Sequence, residues 1–322
     1  MDLNTIRASI RVELEQTNTL IRDSLDSKIK LIPQLGGYIT QSGGKQIRPI
    51  LSILAAQSQD YQGFQHIKLA AIVELIHTST LLHDDVVDHS VLRRGQQTAN
   101  AVFGNAASVL VGDFLYSQAF QLMAEMEHLS VIKVLASTTK SLAEGEVLQL
   151  TNSRNCEINE ASYRQTIYCK TASLFEAVTQ LGAMLAQTGY QQEIALKDYG
   201  RHLGMAFQIT DDLLDYSADD AILGKNVGDD LAEGKVTLPI IYALTQASAN
   251  ERHIIHTAIE QGQSDEIEAI TSILHKTGAL AYTKQQAKQE AELALEALSI
   301  VPNSPAKQAL QALARISIER KY

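Results

Sequence analysis

The sequence predicts a single all-α domain spanning residues 1–322, and three observations predict it. Apolar residues recur at helical spacing along most of the chain, and no strand-like alternation of useful length interrupts them. The composition is rich in Ala, Leu, Gln, Glu and Ile, with only five Pro and no Trp. Such side chains lose little rotamer freedom in a helix. There is no low-complexity linker and no internal repeat to divide the chain.

The elements follow in order. Residues 1–30 place Leu3, Ile6, Ile10, Leu14, Ile21 and Leu25 on one stripe, an amphipathic helix. Pro33 and the pair Gly36-Gly37 are expected to break it. Gly43-Gly44 makes a turn, and Pro49 suits the first turn of the next helix. Residues 68–89 are apolar nearly all round, from Leu69 to Leu82, so this helix is central. It ends in Asp84-Asp85-Val86-Val87-Asp88, and Arg93-Arg94-Gly95 opens a polar loop. Asn105 is the expected N-cap of a helix reaching about Glu127. Further helical patterns cover roughly 130–150, 159–187, 191–216, 235–247 and 250–298. Ser304 before Pro305 starts the last helix.

Bulk properties exclude several classes. A net charge of −10 argues against nucleic-acid binding, which needs a basic surface. Two cysteines, Cys156 and Cys169, make no disulfide framework and read as reduced thiols of a cytoplasmic protein. The first 22 residues carry charges throughout and lack the apolar run of a signal peptide. No stretch of 18 apolar residues exists, so contact with a membrane is at most transient.

Chemistry concentrates in two acidic clusters. Asp84, Asp85 and Asp88 fall at i, i+1 and i+4, and Asp211, Asp212 and Asp215 repeat the spacing. On a helix the outer two of each set share a face, one turn apart. Like charges this close repel, and a cation between them resolves the conflict. Carboxylates suit Mg²⁺, which commonly binds through one or two of them plus substrate phosphates. Alone, either cluster reads equally well as a solvated helix end; two, each after an apolar helix, do not. Cations recur beside glycines and acids: Lys45 and Arg48, Arg93 and Arg94, Lys170 with Thr171, Lys225 after Gly224, and Lys235 after Gly234. Taken singly each is an ordinary surface charge; together with carboxylates and a metal they describe a diphosphate site. His77, two turns before Asp84 on the same face, is either a diphosphate contact or a hydrogen-bonded core histidine.

With these residues in hand, the chain resembles the trans-polyprenyl diphosphate synthase family. Gly43-Gly44-Lys45-x-x-Arg48-Pro49, Asp84-Asp85-x-x-Asp88, Arg93-Arg94-Gly95, Lys170-Thr171, Phe207-Gln208-x-x-Asp211-Asp212-x-x-Asp215 and Gly224-Lys225 match in order. Within the family it is most similar to the bacterial members that make an octaprenyl (C40) chain for quinones. The resemblance implies antiparallel helices around a deep cavity, a homodimer, and three Mg²⁺ ions held by the Asp motifs and an allylic diphosphate such as farnesyl diphosphate. It implies metal-facing roles for Asp84, Asp85, Asp88, Asp211 and Asp215, with Asp212 the weakest member of the set. Arg93, Lys170, Lys225 and Lys235 would contact the allylic diphosphate, with Gln208 nearby. Lys45, Arg48, His77 and Arg94 would form the isopentenyl diphosphate site, and Asp229 and Asp230 would order the loop from Lys225 to Lys235. Thr171 and the backbone near it would stabilise the allylic cation.

Product length belongs to the same resemblance. Short-chain members often carry an aromatic four or five residues before the first Asp; here those positions are Thr80 and Ser79. Ile76 lies one turn deeper, and Phe120 and Met123 are candidates for the cavity floor. The open position predicts a product longer than farnesyl diphosphate, octaprenyl diphosphate with heptaprenyl and solanesyl as alternatives. A class I terpene cyclase would share the first motif, but its second is usually based on Asn, Ser and Glu. A non-catalytic helical subunit would typically have damaged Asp motifs, and both are intact here.

Overall fold

The computed structural model describes residues 1–41, 44–93, 95–216, 228–262 and 267–319. These residues are all-α apart from one hairpin of two-residue strands, Leu92–Arg93 and Gln96–Gln97. The chain divides into two compact units. One comprises Met1–Ala136, Ala177–Lys197 and Ile300–Leu313; the other comprises Ser137–Glu176, Asp198–Ser299 and Ala314–Tyr322.

The N-terminal stripe forms two helices, α1 (Leu3–Ser9) and α2 (Arg11–Ser24), and not one. Ile10 leaves helical geometry at φ −123°, ψ 29°. A one-residue interruption preserves the stripe, so Ile6, Ile10, Leu14, Ile21 and Leu25 are all buried. Helix α3 (Leu31–Gln41) departs further from expectation, because Pro33, Gly36 and Gly37 lie inside it. Pro33 sits in the first turn, where a missing N–H loses no bond. Gly36 is needed for packing: a Cβ there would lie 2.6 Å from Leu25 Cδ2.

Helix α4 (Ile47–Gln57) follows Gln46 at φ 48° and holds Pro49 in its first turn, as expected. Helix α5 (Gln65–Val87) carries the first Asp motif at its C-terminal end. Its residues Leu69 to Val73, Leu75, Ile76, Ser79 and Leu82 are buried, as a central helix requires. After the hairpin come α6 (Ala99–Phe103) and α7 (Asn105–Glu125). Asn105 is the first helical residue of α7, and Gly104 at φ 86° takes the capping position expected of it. Helix α5 packs on α2, α4 and α7. Its approach to α7 is close: Ser79 Oγ donates to Gly112 O at 2.7 Å, and a Cβ on Gly112 would meet His83 Nε2 at 2.4 Å.

Helix α8 (Leu129–Asn152) precedes α9 (Glu160–Ile167), which is capped by Asn159 Oδ1 accepting from Ser162 N. The pattern over 159–187 is interrupted by a π-turn at Tyr168–Ala172 before α10 (Ser173–Leu185). Helix α11 (Tyr190–Leu214) ends in the second Asp motif. A short α12 (Asp229–Ala232) and α13 (Leu238–Gln246) follow. The span 250–298 is three helices: α14 (Ala249–Gln261), α15 (Ile267–Lys276) and α16 (Ala279–Ala297). Gly262 at φ 62° and Gly278 at φ 75° mark the ends that periodicity alone runs through. A 3₁₀ turn (Leu298–Ile300) leads to α17 (Pro305–Ile318), where Lys307 N donates to Ser304 Oγ. In the second unit α13 packs on α9, α14, α15 and α16.

Candidate active site

Both Asp motifs sit at the C-terminal ends of helices. There the backbone dipole already places about half a negative charge. Neither α5 nor α11 has a basic residue in its last turn to offset it. Acids at such a position break the usual charge preference, and a bound cation restores it.

In the first unit, Asp84 and Asp88 are half-buried one turn apart, with Asp88 N donating to Asp84 O at 2.8 Å. Asp85 points elsewhere and is fully buried. Its Oδ1 accepts from Arg93 Nε at 2.8 Å and Nη2 at 2.6 Å. Its Oδ2 is buried with no hydrogen-bond partner among the described residues. Arg93 is therefore bound to the motif's own middle carboxylate. His77 and Thr80 are half-buried on α5, with Thr80 Oγ1 donating to His77 O. Lys45 is exposed and Arg48 half-buried at the start of α4; Arg7 of α1 donates to Lys45 O. Ile76 and Met123 are buried, whereas Phe120 is 39% exposed and packs on Tyr116. Phe120 thus departs from the expected buried floor, because it lies on the outer face of α7. Arg94 lies outside the described residues.

In the second unit, the π-turn presents Lys170 and Thr171, the residue pair singled out by motif. π-turns inside helices frequently mark functional sites. Two glycines seat this one. A Cβ on Gly145 of α8 would lie 2.7 Å from Lys170 N, and one on Gly204 of α11 would lie 2.5 Å from Ala172 Cα. Lys170 Nζ pairs with Glu146 at 2.9 Å, a partner the sequence reading missed. Thr171 Oγ1 donates to Gln208 Oε1 at 2.8 Å.

The middle carboxylate of the second motif is again turned inward. Asp212 is 4% exposed, and both its oxygens are engaged. Gln208 Nε2 donates to Oδ1 at 2.8 Å, and Tyr163 Oη donates to Oδ2 at 2.6 Å. Burial and the nearby Asp230 push the Asp212 carboxyl up to about 8, against the two hydrogen bonds, which lower it. Burial, then Asp212, raises the Tyr163 phenol well above its ordinary value. Asp212, the weakest member of the expected metal set, thus has each of its oxygens held by a protein donor. Tyr163 is a further residue missed, because a tyrosine near a helix start reads as core.

Asp211 and Asp215 are half-buried. Asp215 Oδ2 accepts from Asp230 N at 3.2 Å, Asp215 O accepts from Gly228 N, and Asp230 O accepts from Lys235 N at 2.8 Å. The 228–235 segment is thus folded onto Asp215, and Lys235 Nζ pairs with Glu233. Lys225 lies outside the described residues.

A family model described as polyprenyl synthetase matches residues 29–276. The chain belongs to this family. It is 50% identical to the octaprenyl diphosphate synthase of Haemophilus influenzae, over 100% of this chain and 98% of that one. A polyprenyl synthase from Caulobacter crescentus, crystallised with calcium and isoprenyl diphosphate, superposes with a TM-score of 0.96 at 38% identity, covering 100% of this chain and 98% of that one. A decaprenyl diphosphate synthase structure from Rhodobacter capsulatus gives 0.94 at 41% identity and 99% coverage of both chains. The chain is accordingly a prenyltransferase with the all-α isoprenoid synthase fold.

Members of this family are generally Mg²⁺-dependent, and the residues present fit that ion. The half-buried outer pairs, Asp84 with Asp88 and Asp211 with Asp215, offer hard oxygen donors at dipole-negative helix ends. Among the described residues no three acidic, His or Cys side chains form a preformed metal cluster. Mg²⁺ commonly binds through one or two carboxylates, with substrate phosphates completing its shell. No helix among the described residues is long and apolar enough to cross a membrane.

Proposed function

We propose that this prenyltransferase adds isopentenyl diphosphate repeatedly, head to tail, to an allylic diphosphate such as farnesyl diphosphate, making octaprenyl diphosphate for a quinone side chain. The observation that carries the reading is the pair of outer-carboxylate sets, each one turn apart at the end of an apolar helix. Asp84, Asp88, Asp211 and Asp215 would hold the Mg²⁺, three ions by likeness to the family, which neutralises charge on the departing diphosphate. Lys170 and Lys235 stabilise the same charge, with Lys225 a third cation. In the protein alone Glu146 and Glu233 occupy the first two; a diphosphate, with more charge, competes for them. Lys45, Arg48, His77 and Arg94 bind isopentenyl diphosphate, whose double bond attacks the allylic carbon. The released diphosphate takes the proton, so no protein base is needed. The enzyme works as a cytoplasmic homodimer, and its exposed Leu110 and Phe120 on α7 suit an apolar partner surface.

Small residues five and four positions before the first motif, Ser79 and Thr80, favour a long product. Ser79 is buried with its hydroxyl on Gly112 O of α7, and Thr80 is half-buried. Thr80→Phe should shorten the product, and an unchanged product would show that the growing chain runs elsewhere. The decisive assay gives the purified protein farnesyl diphosphate, labelled isopentenyl diphosphate and Mg²⁺, then resolves dephosphorylated products by length. A single octaprenyl product supports the reading. No elongation would overturn it.

A further inference from the structure

We propose that Arg154 is a positioning residue: its left-handed backbone holds the carbonyl of Gly234 and so sets the direction in which Lys235 reaches the allylic diphosphate. The inference rests on the role given to Lys235 above.

Arg154 lies just beyond the end of α8 at Asn152 and has φ 59°. A side chain other than Gly, Asn or Asp enters this region at a cost. Arg154 is exposed, so core packing does not demand it. A left-handed residue at a helix end ordinarily turns its N–H back to a carbonyl of its own helix. The neighbours do close locally, with Ser153 N on Leu150 O and Asn155 N on Asn152 O. Arg154 N instead donates to Gly234 O at 2.8 Å, in a distant segment. Ser153 Oγ donates to the carbonyl before it, Glu233 O, at 3.4 Å.

Gly234 C=O and Lys235 N–H are the two edges of one rigid peptide plane. Arg154 N–H holds the oxygen edge, and Asp230 O holds the other, accepting from Lys235 N at 2.8 Å. Asp230 N in turn donates to Asp215 Oδ2 of the second Asp motif. A plane held on both edges does not turn about its Cα–Cα axis, and that turn would swing the Lys235 side chain. Gly234 is buried at φ 74°, and a Cβ there would lie 2.6 Å from Arg154 Cγ. The missing Cβ lets the two backbones meet. Arg154 thus acts through its N–H, and its identity matters through the backbone angle it accepts.

The test is steady-state kinetics on the full chain with farnesyl and isopentenyl diphosphates. Arg154→Val puts a β-branched residue where φ is positive. It should lower kcat/KM for farnesyl diphosphate about 10–100-fold. Its KM for isopentenyl diphosphate should stay within about twofold, a split that general damage to the fold would not give. Arg154→Asn and Arg154→Gly accept the backbone angle and should keep most of the rate, though both lack the guanidinium. Lys235→Ala should lose at least as much as Arg154→Val. The double variant Arg154→Val, Lys235→Ala should be no slower than Lys235→Ala alone, since both remove one contact. Circular dichroism establishes that each variant folds. If Arg154→Val does not, Gly234→Ala strains the same contact from the other side and carries the same expectations. Full kcat/KM in a folded Arg154→Val, equal losses in Arg154→Asn and Arg154→Gly, additive losses in the double variant, or an equal rise in both KM values would each overturn the inference. Active wild-type protein with an unimpaired Arg154→Val sinks this inference alone, whereas wild-type protein without elongation sinks the reading beneath it.

Discussion

Within each Asp-Asp-x-x-Asp motif the three carboxylates have different surroundings. The i and i+4 residues share a half-buried face, while the i+1 residue is rotated about 100° and buried. Arg93 holds Asp85, and Tyr163 with Gln208 holds Asp212. The expected consequence falls on the outer set. Asp84→Ala and Asp211→Ala should lower kcat by roughly 10²–10³-fold or more. Circular dichroism should show native helicity, since neither side chain is core. Near-normal turnover in either variant would remove that residue from metal binding. The spacing of the motifs at the ends of two helices was legible in the sequence. The inward turn of Asp212 was not, because its donor Tyr163 is 49 residues away and only the packing of α9 on the end of α11 brings them together.

At the scale of elements, the π-turn and the helix clamp behind it carry the second unit. Gly204→Ala would force a Cβ to 2.5 Å from the Ala172 backbone, an overlap that must shift the turn. The substitution should cost about 1–3 kcal/mol and lower kcat as Lys170 and Thr171 move. Thermal unfolding with parallel kinetics checks both, and an unchanged rate would show that the turn tolerates displacement. Arg164 of α9 binds Glu290 Oε1 and Gln286 of α16 at 2.8 and 2.6 Å, and His202 of α11 binds Glu290 Oε2 at 2.7 Å. Burial alone would raise the Glu290 carboxyl, but the hydrogen bond and charge of His202, then Arg164, outweigh it and hold it below its ordinary 4.5. A depressed folded-state value means stabilisation present above about pH 4.5 and lost as pH falls through the lower, folded value. Glu290→Gln should therefore lower stability by about 1–3 kcal/mol at pH 7. The gap should close in acid, and a constant gap from pH 7 to 3 would sink the ion-pair account. The sequence showed these helices by their apolar period but not the π-turn, nor the splits at Gly262 and Gly278. Those breaks are set by left-handed backbone, which apolar spacing does not register.

For the whole molecule, the all-α class was the most legible feature, since it rests on summed propensity over hundreds of residues. Metal dependence also belongs at this scale, because binding and folding are linked. An ion held by a preformed cage raises stability by itself, through its preference for the folded state. On the proposed reading, the outer carboxylates bind Mg²⁺ only together with oxygens of a diphosphate. EDTA should therefore abolish elongation while leaving the unfolding midpoint of the protein alone unchanged. Mg²⁺ added without diphosphate should move that midpoint little, and inorganic diphosphate without Mg²⁺ little also. Together they should raise it by several degrees, because each supplies the ligands or charge the other lacks. The check is a four-way thermal melt with either ligand, both and neither. A midpoint that falls on chelation alone would mean that side chains complete the metal shell unaided, and that the ion holds the fold as well as the leaving group.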